Sequence, residues 1–144
     1  MDPAAEGKMY PEVAFSVDPA RVAAFRGVVE GVGGAGGDAG RAGGAGAGVP
    51  PTFATAAEFA LFPAVIADPE LGLDLTRVVH GSQEYVYERP LVEGETLTGR
   101  MRIASIRQRG GSGFLALVTE LRDADGALVC TARSQMIERG DVTT

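Results

Sequence analysis

One cysteine, one histidine and one lysine are all that the 144 residues offer of those three types. Each scarcity removes a class of function. Cys130 alone permits no internal disulfide and no cysteine-cluster metal site. With His80 as the sole imidazole beside it, a classical zinc site lacks ligands. Basic residues number 13 against 19 acidic ones, for a net charge of −6, so the basic surface needed for non-specific nucleic-acid binding is missing. No apolar run has the length that spans a bilayer. The stretch MDPAAEGKMYPE is polar and acidic, without the basic and apolar regions of a signal peptide. No internal repeat is visible. The expectation is a cytoplasmic, single-domain protein over residues 1–144, with no metal or cofactor and no nucleic-acid or membrane partner.

What is present is a core-forming chain, 45% hydrophobic. Residues 10–17 (YPEVAFSV) alternate as a short strand. Asp18 and Pro19 read as N-cap and first residue of a helix, with Val22, Phe25 and Val29 on one face. Thr52 is the next good cap. After it, Phe53, Ala57, Ala60, Leu61, Ala64 and Val65 form one stripe of a second helix. Much of the remainder of that helix is also apolar, which predicts burial on most sides. Pro63 inside it predicts a bend, and Asp68-Pro69 a stop. The period then changes. Residues 80–90, 96–108, 113–123 and 127–139 each carry strand-like alternation, joined by turn sequences such as GGSG and ADG. The class is α+β: one buried helix followed by an antiparallel meander able to wrap it.

Between the two helices lies GVGGAGGDAGRAGGAGAGVPP, in which ten of the eighteen residues 31–48 are glycine. GVGGAG matches G-x-G-x-x-G, but a dinucleotide site needs a strand leading in and a helix leading out. Neither flanks it. A P-loop needs a lysine, and the tract has none. The tract reads as a flexible Gly/Ala-rich loop.

Four motifs occur in order: V-P-P-T-F (49–53), V-V-H-G-x-Q (78–83), R-P-L-V-x-G-E (89–95) and D-x-D-G (123–126). Together they make the chain resemble the MaoC-type dehydratases, and most closely their short FAS1-like actinobacterial branch. That branch includes the non-catalytic subunit of a (3R)-hydroxyacyl-carrier-protein dehydratase. The resemblance implies a hot-dog fold, a long helix wrapped by an antiparallel sheet. It also implies protomers paired edge to edge, with an acyl thioester bound in a tunnel between them. Catalytic members carry an Asp and a His, five positions apart, in a loop before the helix. Here the glycine tract occupies that place, with one Asp, Asp38, and no His. A loose chain holds no base in hydrogen-bonding geometry without a large entropic cost.

The resemblance therefore implies a subunit that holds an acyl thioester, on coenzyme A or an acyl carrier protein. Its partner would be a catalytic MaoC-type subunit, or a second copy of itself. Pro51, Thr52, Phe53, His80 and Gln83 are the expected substrate contacts. Arg100, Arg102, Arg107 and Arg109 crowd one strand and its turn, and are candidates for docking an acidic carrier. Arg107 and Arg109 should face away from Arg100 and Arg102 unless a bulge intervenes. His80 and Glu58 are the residues through which this chain itself would do chemistry. Glu58 lies among apolar neighbours, where a carboxyl pKa rises. Two alternatives follow: a stand-alone hot-dog thioesterase using Glu58, or an acyl-binding homodimer without enzymatic activity. Tyr85 and Tyr87 read as packing residues, and Cys130 as a small buried hydrophobe.

Overall fold

A computed structural model describes residues 1–32 and 48–140. The central part of the glycine tract, including Asp38, lies outside the described residues. In chain order the elements are β1 (Val13–Ser16), α1 (Pro19–Val32), α2 (Thr55–Ile66), β2 (Val78–Tyr87), β3 (Thr96–Arg109), β4 (Ser112–Arg122) and β5 (Leu128–Glu138). The strands form one antiparallel sheet in the order β1-β3-β4-β5-β2. Strands β1 and β2 are its edges.

The hairpins follow from turn chemistry. Arg109 pairs with Ser112 across Gly110 and Gly111, whose φ values of 58° and 78° suit a two-residue primed turn. Between β4 and β5, Asp123 Oδ1 accepts from the backbone N–H groups of Asp125 and Ala127, and Gly126 takes φ 82°.

Helix α2 packs against one face of the sheet, over β3 and β1. Phe53, Ala57, Leu61 and Val65, four residues apart, form the buried stripe. They separate and contact two apolar clusters, one around Phe15, Leu97 and Leu121, the other around Met101, Ile103 and Leu117. The helix approaches closely because β3 carries Gly99. A Cβ there would stand 3.0 Å from Leu61 Cδ1 and 3.2 Å from Leu121 Cδ2.

Several expectations need correcting. Helix α2 is not buried on most sides. Ala60 and Ala64 are exposed, and Phe59 is 66% exposed. The sheet covers only one face, and a helix apolar all round does not announce which face is bare. Thr52 caps nothing with its side chain. It lies in a 3-10 turn, Pro51–Ala54, and α2 proper begins at Thr55. Pro63 sits inside α2 without ending it. On α1, Asp18 does accept from Arg21 N–H as an N-cap. Val22 is buried and Phe25 packs edge-on against Phe53, but Val29 is 49% exposed. The second half of that face runs past the core.

The register of β3 shifts between Ile103 and Ser105. Before the bulge Leu97, Met101 and Ile103 point inward; beyond it Ile106 does. The extra residue reverses the alternation. Arg107 and Arg109 thus join Arg100 and Arg102 on the outer face, instead of opposing them.

A candidate acyl-binding groove between the central helix and an edge strand

Among the described residues strand β2 pairs only with β5, and its inward residues face α2. Tyr87, Tyr85 and Gln83 alternate along it, opposite Cys130, Ala132 and Ser134. A second bulge, between His80 and Ser82, brings His80 to the same face, opposite Met136. Without the bulge His80 would point outward. From the helix side come Thr55, Glu58, Phe59 and Phe62, with Thr52 just before them. These residues wall one groove together with His80, Gln83, Tyr85 and Met136. Phe59, Phe62 and Met136 also line its continuation, where Val65, Ile66, Leu73, Leu75 and Val78 add only apolar surface. The groove is polar at one end and apolar at the other.

Glu58 anchors the polar end. It is 1% exposed. Its Oε2 accepts hydrogen bonds from Gln83 Nε2 at 2.9 Å and Tyr85 Oη at 3.1 Å. Tyr85 Oη also bonds Thr55 Oγ1. Glu58 Oε1 is buried with no hydrogen-bond partner. Burial pushes the Glu58 pKa above the ordinary carboxylate range, and Tyr85, Gln83 and the charge of His80 oppose it only partly. Burial likewise pushes Tyr85 up to about 12, against the hydrogen bond with Thr55. Tyr87 is raised by burial, and its hydroxyl donates to the Pro51 carbonyl. The Cys130 thiol, buried behind it, is pushed up to about 11.

The expected site residues divide accordingly. Thr52, His80, Gln83 and Glu58 meet in the groove. Pro51 faces an adjoining hollow with Tyr87, Arg89 and Leu91. Phe53 is 1% exposed and packs against Phe15 and Phe25, so its ring belongs to the core. Tyr85 does more than pack, because it positions Glu58. Its alternation with Gln83 places both on one face and was the available signal. Thr55, the exposed Phe59 and the half-buried Phe62 gave none. On the outer face Arg100 pairs with Glu12 at 2.7 Å and Arg122 with Glu120 at 2.7 Å. Arg102 shares that patch, while Arg107 and Arg109 border Phe114 and Gln135. Among the described residues no three His, Cys, Asp or Glu side chains gather as metal ligands. Among them, too, no helix is long and apolar enough to cross a membrane.

Residues 8–132 match the model of the FAS1-like dehydratase domain region. The chain belongs to this family. Among curated relatives, a UPF0336 protein of Saccharopolyspora erythraea is 41% identical over 91 residues, covering 63% of this chain and 58% of that protein. One of Leifsonia xyli is 38% identical over 92 residues, covering 64% and 62%. The chain thus spans about three-fifths of the length of the curated relatives it matches. Among solved structures, the HadBC (3R-hydroxyacyl-ACP dehydratase) complex of Mycobacterium tuberculosis superposes with a TM-score of 0.70 at 23% identity, covering 92% of this chain and 96% of that one. A MaoC-like dehydratase gives 0.76 at 17%, covering 95% and 43%. An (R)-hydratase of A. caviae gives 0.61 at 18%, covering 91% and 94%. The fold they share with this FAS1-like chain is the hot-dog fold.

Proposed function

We propose that the chain is the acyl-thioester-holding, non-catalytic subunit of a (3R)-hydroxyacyl-thioester dehydratase. One observation carries this reading. The groove is shaped for an acyl chain with a polar head, yet among the described residues its walls offer no Asp/His pair. Eliminating water from a 3-hydroxyacyl thioester requires a group that takes the C2 proton and protonates the departing hydroxyl. His80, the only imidazole of the sequence, sits on the sheet at the groove, and among the described residues no aspartate stands beside it in the lining. Glu58, the other ionisable group of the lining, is fixed by Gln83 and Tyr85, and burial raises its pKa.

Assembly supplies what is missing. Strand β2 has ten residues and, among the described residues, is paired along one edge only, with Val79 and Val86 exposed along it. Such an edge invites another strand. A catalytic hot-dog subunit paired there would close the groove and bring an Asp/His pair to it. On the outer face the arginines of β3 are the surface for an acidic carrier protein. The isolated chain should not hydrate crotonyl thioesters or dehydrate 3-hydroxyacyl thioesters. Robust turnover by the chain alone would refute the assignment.

A further inference from the structure

The hydrogen bond between helix and edge strand fixes which end of the Gln83 amide meets the groove. Gln83 Nε2 donates to Glu58 Oε2 at 2.9 Å, and Glu58 is buried behind the groove wall. The amide is planar, with its oxygen turned away from its nitrogen. Holding Nε2 against the buried carboxyl therefore turns Oε1 away from it. Gln83 is half-buried and lines the groove, and its Oε1 has no hydrogen-bond partner among the described residues. An amide oxygen accepts hydrogen bonds and never donates them. The hydroxyls next to it are engaged with each other, since Tyr85 Oη bonds both Thr55 Oγ1 and Glu58 Oε2. Thr52 lies further toward the polar end, before Thr55, and His80 stands opposite Met136.

We propose that Gln83 Oε1 accepts a hydrogen bond from the 3-hydroxyl of a 3-hydroxyacyl thioester, with Glu58 as the residue that orients the amide. The inference rests on the acyl-holding reading above. Phe59, Phe62 and Met136 line both halves of the groove. Glu58 directly precedes Phe59 on α2, so the amide bonded to it stands where the polar wall meets the apolar one. An acyl chain laid over Phe59, Phe62 and Met136, with its thioester toward Thr52, carries its first carbons past this point. A hydroxyl there meets an acceptor. A methylene or a double bond leaves a half-buried amide oxygen without a partner. The groove then tells the hydroxyacyl ligand from its dehydrated product. The hydroxyl whose proton is engaged by Gln83 also keeps its lone pairs free for the proton that a partner's acid delivers as the oxygen departs.

The test is calorimetric titration with three pantetheine thioesters that differ only at C3: (3R)-3-hydroxyoctanoyl, 3-fluorooctanoyl and octanoyl. Fluorine is close to a hydroxyl in size but donates no hydrogen bond. The wild type should bind the hydroxy compound about tenfold more tightly than either of the others, the worth of one hydrogen bond. Gln83→Met, similar in length but without the amide, should bind all three alike. Glu58→Leu, which frees the amide to turn, should reduce the preference for hydroxyl over fluorine. A fluoro compound that binds the wild type as tightly as the hydroxy compound overturns the acceptor role, with no variant needed. A preference that survives in Gln83→Met overturns the assignment to Gln83, and one unchanged in Glu58→Leu overturns the orienting role of Glu58. Equal binding of all three by the wild type overturns the 3-hydroxyl assignment and leaves the acyl-holding reading standing. Failure of the wild type to bind any of the three overturns that reading itself.

Discussion

Replacing Glu58 with glutamine should make the protein more stable at alkaline pH, and the size of the gain should grow with pH. The amide keeps both hydrogen bonds at the Oε2 position and removes only the ionisable proton. Burial raises the pKa of Glu58 in the folded state above the ordinary value of 4.5. The folded protein therefore binds more protons than the unfolded one between 4.5 and the raised value. Stability in that window must fall as pH rises, with a limiting slope of about 1.4 kcal/mol per pH unit. Below the window both states hold the proton and the contribution is full. Above it both have lost the proton and the penalty is constant. Asp68, Asp74 and Asp123 behave oppositely. Hydrogen bonds, from Lys8 to Asp68, from Thr76 to Asp74 and from Ala127 N–H to Asp123, lower their pKa values, so their contributions vanish only on acidification. Subtracting the mutant from the wild type cancels them. Urea unfolding at half-unit intervals from pH 4 to pH 9 measures the difference. A difference curve that stays flat, or a mutant less stable at pH 8, would show that burial does not raise the Glu58 pKa in the fold.

Leu61→Ala should cost about 2–5 kcal/mol in the same assay, because a fully packed side chain leaves a cavity above Gly99. A cost below about 1 kcal/mol would mean that α2 does not pack against β3 as described. Phe59→Asp should change stability by no more than about 0.5 kcal/mol, since the ring is 66% exposed. The same change should abolish binding of an octanoyl-pantetheine thioester, measured by calorimetric titration, because Phe59 lines both halves of the groove. Unchanged binding would remove the bare face of α2 from the groove.

The sheet was legible because it is half-buried. On β3 and β4 alternate residues meet either core or solvent, so period two survives in the sequence and the strand limits fall within a residue or so of those read. Glycines at 110, 111 and 126 marked the turns for the same physical reason that they occupy them, positive φ. The bare face of α2 was not legible. Phe59 and Ile66 look like core residues by composition, and only the reach of a single sheet leaves them uncovered. The bulges were equally silent. One extra residue in β3 turns Arg107 and Arg109 outward, and one in β2 turns His80 inward. No residue type announces either event, although Gly81 sits in the second. There a Cβ would come within 3.1 Å of Ile137 Cδ1. Glu58 was legible as a carboxyl among apolar neighbours. Its fixation by Gln83, Tyr85 and Thr55 was not, because it joins helix to sheet across 25 and 27 positions of sequence.

The most direct measurement follows hydration of a 2-enoyl thioester by a catalytic hot-dog subunit carrying the Asp/His pair, assayed with and without this chain. The account predicts no turnover by this chain alone, and a rate for long acyl chains that rises only when the two are combined. Turnover by this chain alone, or a rate from the catalytic subunit that its addition leaves unchanged, would contradict it.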